Sequence, residues 1–224
     1  MRFLLAAALS LFCLESFKAQ NTTRFGVITG FNSAYIENVR SGFDDVSIAG
    51  EEVDLNGVTR YDATLGFNLG VALMIDLTEN ISFHSEMFYS MKGFRSTETD
   101  LTHKYKNICL PLYLSYALDD SFSFLAGIEG AYLFSAISKS TDGSQVDLFG
   151  EDFLNYRSYD VGGMLGAMFQ DPDNGLAFSV RYIHGFVSTM PNEITISDEV
   201  GTTIDTAISG FYNRCFNFSI HYYM

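Results

Sequence analysis

The sequence predicts an all-β fold: an eight-stranded antiparallel up-and-down transmembrane β-barrel preceded by a signal peptide. Three observations predict it. Apolar and polar residues alternate with a period of two in eight segments, and short and long connections alternate between those segments. Beyond the leader, no uninterrupted run of about 20 apolar residues offers a membrane helix. The composition agrees, because charged residues reach only 18%, against about 25% in typical soluble domains.

The first element is a targeting segment. Arg2 supplies a positive charge, and Phe3 to Leu14 form an apolar run of 12 residues. This run is too short to span a membrane as a helix, but it has the length of a secretory signal. Ala19 is a small residue suited to the position before the cleavage site. We therefore predict a signal peptide over residues 1–19 and a barrel domain over residues 20–224.

The eight strands follow in order along the rest of the chain. In the clearest of them, residues 64–75, every odd-numbered position is large and apolar, whereas the even-numbered positions are mostly small or polar. Successive side chains in a strand point to opposite faces, so one face of this strand is apolar. The same alternation recurs in the other segments, which are residues 24–36, 81–93, 107–116, 122–135, 159–170, 176–186 and 216–224.

The connections between these strands differ in length. Three of them, residues 76–80, 117–121 and 171–175, are short and rich in turn-forming residues. The longer ones are residues 37–63, 94–103, 136–158 and 187–210. Short turns at one end and long loops at the other are typical of outer-membrane barrels, whose turns are periplasmic and whose loops are extracellular. Since the strand count is even, we expect a protein of the cell outer membrane with both termini in the periplasm.

The inner face of the predicted barrel separates it from a soluble barrel of the lipocalin type. A lipocalin keeps an apolar interior for its ligand and a wet exterior. Here the small or polar face of the strands carries many glycines together with charged residues. Such a face suits the lumen of a membrane barrel, whose other face meets lipid. The charged residues on it are Glu86, Glu129, Asp160 and Arg181.

These four charged residues predict a polar plug. An eight-stranded barrel is only wide enough for its own side chains to fill, and buried charges are costly unless they are paired. We predict that Arg181 pairs with Glu86 or Glu129 and closes the lumen, which is a structural role. The alternative is a path for protons or ions.

The net charge of −14 argues against nucleic acid as a partner, because such a partner requires a basic stripe. Acidic residues concentrate in the predicted loops, over residues 37–60 and 187–208. The expected partners are outer-membrane lipid and lipopolysaccharide. The acidic loops could hold divalent cations beside lipopolysaccharide or meet a basic protein partner, but plain solvation of the loops is the simpler explanation. Cys109 and Cys215 either pair or remain free thiols. They give no metal-ligand spacing, and we expect no metal or cofactor.

An enzymatic alternative rests on the second long loop. Ser96, Asp100 and His103 cluster there and could form a serine, histidine and aspartate set that modifies an outer-membrane lipid by acyl transfer or deacylation. Nothing in the sequence fixes their geometry, and loops are rich in such residues. We therefore expect a protein without catalytic residues, and a solute pore is disfavoured because eight strands leave no open channel.

Seven segments carry a further signal: Arg24–Asn32, Ile108–Leu114, Tyr159–Gly162, Leu165–Gly166, Arg181–Gly185, Asn213–Phe216 and Tyr222–Met224. In their order and spacing they resemble the PorT-like outer-membrane β-barrel family of Bacteroidetes. The resemblance covers essentially the whole chain after the leader, although one departure is Met224, which stands where such barrels usually end in an aromatic residue. It implies the barrel fold and the outer membrane, and a role as an accessory of protein secretion or surface assembly.

Overall fold

The computed structural model describes residues 22–41, 46–48, 51–53, 57–96, 101–140, 144–147, 157–197 and 203–224. The predicted signal peptide lies outside these residues. No helix among them is long and apolar enough to cross a membrane. The strands are β1 (Thr23–Ser41), β2 (Val46–Ile48), β3 (Glu51–Val53), β4 (Gly57–Arg60), β5 (Asp62–Asp76), β6 (Ile81–Ser96), β7 (Leu101–Ala117), β8 (Phe122–Ser140), β9 (Gln145–Asp147), β10 (Tyr159–Gln170), β11 (Leu176–Ser197) and β12 (Thr203–Tyr223).

Eight long strands close into one antiparallel barrel. They are β1, β5, β6, β7, β8, β10, β11 and β12, and each pairs with the next long strand along the chain. The ring closes because β12 returns to β1, with Tyr223 opposite Gly26. The short strands are accessory: β2 pairs with β3, β4 with β1 and β9 with β8. The predicted fold class, an eight-stranded up-and-down barrel, is confirmed.

The two faces of the strands follow the predicted period of two. On β5, the outward side chain of Leu65 is 76% exposed, whereas the inward side chain of Asn68 is fully buried. The same alternation holds on β7, where Leu110, Leu112 and Leu114 point outward. The outer wall is therefore a continuous apolar surface, which only a lipid environment can cover at low cost. Aromatic residues exposed near the strand ends are Tyr116, Phe134, Tyr159 and Phe169.

The three short connections are tight turns at one end of the barrel, which we call the turn end. In the turn between β7 and β8, Asp119 accepts hydrogen bonds from the backbone N–H groups of Ser121 and Phe122. These bonds stabilise the carboxylate and lower the pKa of Asp119. In the turn between β10 and β11, Gly175 has a φ of 67°, a left-handed conformation that glycine adopts without strain.

The strands continue well into two of the predicted long loops, at the opposite end, which we call the loop end. Strands β6 and β7 leave only residues 97–100 between them, and β11 and β12 leave only residues 198–202. The predictions of loops over 94–103 and 187–210 were therefore too long. The physical reason is that an antiparallel ladder persists wherever backbone groups pair, whereas outward positions beyond the apolar wall, such as Lys104 and Lys106, no longer have to be apolar.

The narrow barrel requires glycine where neighbouring strands approach closely on its inner side. A Cβ atom added to Gly70 of β5 would lie 2.1 Å from the carbonyl oxygen of Met87 and 2.4 Å from the Cβ of Phe88. Directly opposed residues in a flatter sheet keep their Cβ atoms about 4.5–5.5 Å apart. Gly70 thus allows β5 and β6 to follow the curvature of the barrel.

Candidate functional site in the barrel lumen

An ion pair crosses the middle of the lumen. Arg181 of β11 donates from Nη1 to Oε2 of Glu86 on β6 over 2.7 Å, and both side chains are almost completely buried. In the ring of eight strands, β11 and β6 stand four places apart in either direction. The pair therefore joins opposite walls of the barrel, and Arg181 contacts Glu86, one of the two partners that the sequence suggested.

The remaining hydrogen-bonding capacity of this pair is used by its neighbours, except that Arg181 Nε has no partner among the described residues. Arg181 Nη2 also donates to Asn217 Oδ1 over 3.1 Å and to Ser219 Oγ over 3.3 Å. The hydroxyl of Tyr113 donates to the second carboxylate oxygen of Glu86 over 2.5 Å. The guanidinium also lies 5.7 Å from the centre of the Tyr113 ring. Such satisfaction is what a buried ion pair needs to offset its loss of hydration.

Two histidines form a polar layer between this ion pair and the turn end. His84 Nε2 lies 2.9 Å from Ser115 Oγ, and its ring stacks on Tyr113 with centroids 4.5 Å apart. His221 Nε2 lies 2.9 Å from Ser179 Oγ. Both histidines are on the inner face, as the alternation predicts, and both are buried.

Ser179, His221 and Glu86 stand in the order of a hydrolytic triad, since His221 Nδ1 also lies 3.6 Å from Glu86 Oε1. Two features oppose catalysis there. Ser179 is only 2% exposed, so an acyl group has no access to its hydroxyl. Glu86 is already bound by Arg181, and this neutralises the charge that would stabilise an imidazolium. The arrangement is therefore suited to filling the lumen and not to acyl transfer.

A second ion pair lies nearer the loop end, and the sequence reasoning missed its cation. Lys92 Nζ donates to Glu129 Oε1 over 2.7 Å, with both side chains buried. Lys92 is six residues beyond Glu86 on β6, so it shares the inward face. The even-numbered position that Lys92 shares with Glu86 on β6 was the sequence signal that could have identified this cation. Glu129 is thus neutralised by Lys92, while Arg181 binds Glu86.

Asp160, the fourth predicted plug residue, lies beside this second pair. Its Oδ2 accepts a hydrogen bond from Asn213 Nδ2 over 3.2 Å, whereas its Oδ1 has no partner within the described residues. Asp160 and Lys92 line one small cavity of about 30 Å³, which has about the volume of a single water molecule. The four predicted residues therefore form two layers, with Arg181 and Glu86 in one and Glu129 and Asp160 in the other.

The loop end of the lumen is closed by side chains of two kinds. An apolar cluster lies above the Lys92 layer and consists of Ile36, Phe94, Tyr105, Leu133 and Ala136, with Tyr61 and Phe211 packed against it. At the rim, Glu37 accepts hydrogen bonds from Arg214 over 2.9 Å and from Arg60 over 3.0 Å. Glu37, which the sequence placed in a solvated acidic loop, is instead neutralised by two arginines.

The barrel opens at the turn end into a cavity of about 630 Å³, which we call the cup. Arg24 and Asp76 form an ion pair of 2.9 Å in its wall. The cup ends inside the barrel against Met74, Met168 and Ser115, and the first two of these side chains are buried in the lumen core. The cup therefore does not lead through the described part of the barrel.

Of the set Ser96, Asp100 and His103 considered from the sequence, the structure describes only a part. Asp100 lies outside the described residues, and Ser96 is a paired residue of β6, opposite Leu101. The ring of His103 stacks on Phe94 with centroids 4.5 Å apart. Cys109 and Cys215 are buried free thiols. Within the described ranges, no group of three or more His, Cys, Asp or Glu residues could hold a metal ion.

A family model described as an outer membrane protein beta-barrel domain matches residues 18–190. No curated protein matches the sequence.

Three solved structures are similar to the chain at low identity. The attachment invasion locus protein Ail of Yersinia pestis, in complex with the heparin analogue sucrose octasulfate, is 13% identical with a TM-score of 0.45; the match covers 90% of this chain and 99% of Ail. Neisserial surface protein A is 10% identical with a TM-score of 0.45, over 88% and 96%. AlkL, from a solid-state NMR structure in lipid bilayers, is 13% identical with a TM-score of 0.37, over 92% and 93%.

Proposed function

The chain belongs to the outer membrane protein beta-barrel domain family, and from this premise we propose that it is a non-conducting, non-enzymatic barrel with a structural or interaction role. The observation that carries the proposal is the filled lumen. Two buried ion pairs, Arg181 with Glu86 and Lys92 with Glu129, occupy successive layers of a barrel only wide enough for side chains. A protein with such an interior has its activity on its outside.

We propose that the turn end, with both chain termini, faces the periplasm and that the loop end faces the cell exterior. Short periplasmic turns and longer extracellular loops are the usual layout of these barrels. The turn end carries the tight turns, and strands β11 and β12 extend far from it as a hairpin of 22 and 21 residues. A membrane-spanning strand needs about 9–11 residues, so this hairpin projects well beyond the bilayer on the loop side.

The projecting loop end is the surface that we propose for a protein partner. In line with the resemblance to PorT-like barrels, the partner would belong to a system for protein secretion or surface assembly. Lipopolysaccharide surrounds the same surface. Neither a lipid-modifying enzyme nor a solute pore is favoured by a described contact, since the buried Ser179 is inaccessible and the lumen is filled.

A first experiment tests the filled lumen. We expect the purified barrel, refolded in lipid and verified by heat-modifiable migration on a gel, to give no stable conductance steps in planar bilayers. The reason is that ions would have to pass both buried charge pairs and the apolar cluster of the loop end. Stable open channels from the wild-type protein would show that the lumen conducts and would contradict the proposal.

A second experiment tests the partner. A photo-crosslinking residue placed at Arg157, exposed at the loop end, is expected to capture a discrete secretion or assembly component in native outer membranes. The same residue at Asp173, exposed in a turn, serves as the matched control and is expected to give no such product. Recovery of bulk porins alone from position 157 would remove the support for a secretion accessory.

A further inference from the structure

The outward face of β7 changes from apolar to basic within two residues. From Tyr116 back to Ile108, each outward position is apolar or aromatic, and this stretch has the length of one membrane crossing. The next two outward positions toward the loop end are Lys106 and Lys104. The charge therefore begins where the apolar wall ends.

Strand β8 adds a third cation beside these two. Lys139 stands opposite Thr102 of β7, and Lys104 stands opposite Ile137 of β8, so Lys139 and Lys104 are diagonal neighbours on one face. We call Lys104, Lys106 and Lys139 the lysine patch. Lys104 and Lys139 are exposed, and Lys106 is half-buried.

The lysine patch carries positive charge that no described acidic side chain neutralises. Among the residues that the structure describes, no ion pair or hydrogen bond joins these three ammonium groups to an acidic side chain. Several other cations of the barrel form ion pairs with a carboxylate of the same chain. The basic residues with a carboxylate partner are Arg24, Arg60, Lys92, Arg181 and Arg214. In a chain with a net charge of −14, three neighbouring lysines without a carboxylate partner among the described residues indicate an external anion.

Aromatic residues fix the level of the patch relative to the bilayer. Tyr89 of β6 and Tyr132 of β8 both stand opposite Ile108, the last apolar outward residue of β7. Tyrosine marks the membrane interface, because its ring is apolar and its hydroxyl is wet. Lys106 begins one outward position above this belt. The aliphatic stems of the lysine side chains can cover the apolar barrel wall there, while their ammonium groups reach the lipid headgroups.

We infer that the lysine patch binds the phosphate groups of lipopolysaccharide in the outer leaflet. The patch faces sideways from the barrel wall, so its ligand lies in the plane of the membrane and not in solution. Lysine presents a compact point charge suited to a phosphate. This inference rests on the proposed orientation, because only a loop end outside the cell brings the patch into the outer leaflet.

The test is native mass spectrometry of the purified barrel in detergent with bisphosphorylated lipid A as the probe. Replacing the patch by glutamine (Lys104→Gln, Lys106→Gln and Lys139→Gln) is expected to weaken retention about fivefold per lysine, or about a hundredfold for all three. Replacing the same three lysines by arginine keeps the charge and is expected to retain the lipid. Arg157→Gln removes an exposed cation at the loop end outside the patch and is expected to have no effect.

Two outcomes would overturn the inference. One is equal retention of lipid A by the wild type and the triple glutamine variant. The other is equal binding of dephosphorylated lipid A with the same acyl chains, since the phosphates would then contribute nothing. Inorganic phosphate, added as competitor, is expected not to displace the lipid at millimolar concentration, because the acyl chains hold it against the wall; displacement would mean that the patch is a site for free phosphate.

A separate measurement distinguishes failure of the orientation from failure of the patch. A maleimide reagent that does not cross the outer membrane is expected to leave Asp173→Cys unlabelled on intact cells. The native Cys109 and Cys215 are buried and add little background. Labelling of Asp173→Cys would reverse the proposed orientation, whatever the lipid A experiment gives.

Discussion

Replacing Arg181 with methionine is expected to lower the free energy of unfolding by about 3–5 kcal/mol, because the change leaves Glu86 buried without its cation. The substitution removes hydrogen bonds to Glu86, Asn217 and Ser219 in one step. The measurement is a urea titration of the barrel folded in lipid vesicles. The folded fraction is read from the heat-modifiable band on a gel, since the chain contains no tryptophan to serve as a fluorescent reporter.

Two further variants separate the charge from the packing. The double variant Arg181→Met with Glu86→Leu removes both charges and is expected to recover most of the lost stability, because an apolar replacement of a buried pair is often neutral. Arg60→Met removes a 73% exposed arginine that also pairs with a glutamate, and it is expected to change stability by less than about 1 kcal/mol. If Arg181→Met unfolds like the wild type, the ion pair has no structural role.

Gly70→Ala is expected to destabilise the barrel by about 1–3 kcal/mol, as overpacked interiors do. The added methyl group would meet the carbonyl oxygen of Met87 at 2.1 Å, and a backbone atom cannot rotate away as a flexible side chain can. Strands β5 and β6 would have to separate at their ladder. The same urea titration and gel measure the loss, together with the yield of folded barrel.

The control for this substitution is Gly130→Ala on the outer face of β8. A Cβ atom at Gly130 meets only the carbonyl oxygen of Leu110, at 4.0 Å, which is an ordinary contact. We expect stability within about 0.5 kcal/mol of the wild type. Equal loss in the two variants would mean that the general β propensity of glycine matters and that the close approach at Gly70 does not.

The barrel could be predicted from the sequence because lipid imposes a strict pattern on it. Within the membrane zone the outward side chains of β5 meet lipid, so every second residue from Leu65 to Ile75 is large and apolar, whereas the residues between them are mostly small or polar. The tight turns could also be predicted, because residue types such as those from Asp171 to Gly175 strongly favour turns. The strand parity then placed Glu86, Glu129, Asp160 and Arg181 on the inner face.

What the sequence could not predict follows from the loss of that pattern. Beyond the bilayer the outward face of a strand meets water and no longer has to be apolar, so the alternation breaks down at the ends of β6, β7, β11 and β12, which were assigned to loops. Their backbone hydrogen bonds form regardless of side-chain polarity.

The pairing of the charges was the second limit. Arg181 and Glu86 are 95 residues apart in sequence, and only the closed ring shows that their strands are opposite. Lys92 was overlooked although its parity on β6 matches that of Glu86. Glu37 was counted among solvated acidic residues, because its partners Arg60 and Arg214 become neighbours only through pairing of β1 with β4 and β12.

The contact between opposite walls also has a mechanical consequence. A ring of hydrogen-bonded strands can flatten into an ellipse while every ladder bond survives, because each strand only rotates slightly against its neighbour. The ion pair across the diameter opposes this flattening, because flattening would lengthen or shorten the distance between Arg181 and Glu86. The whole cross-section of the barrel then resists lateral pressure from the surrounding lipid. The projecting β11–β12 hairpin consequently extends from a barrel whose cross-section is held in shape by this contact.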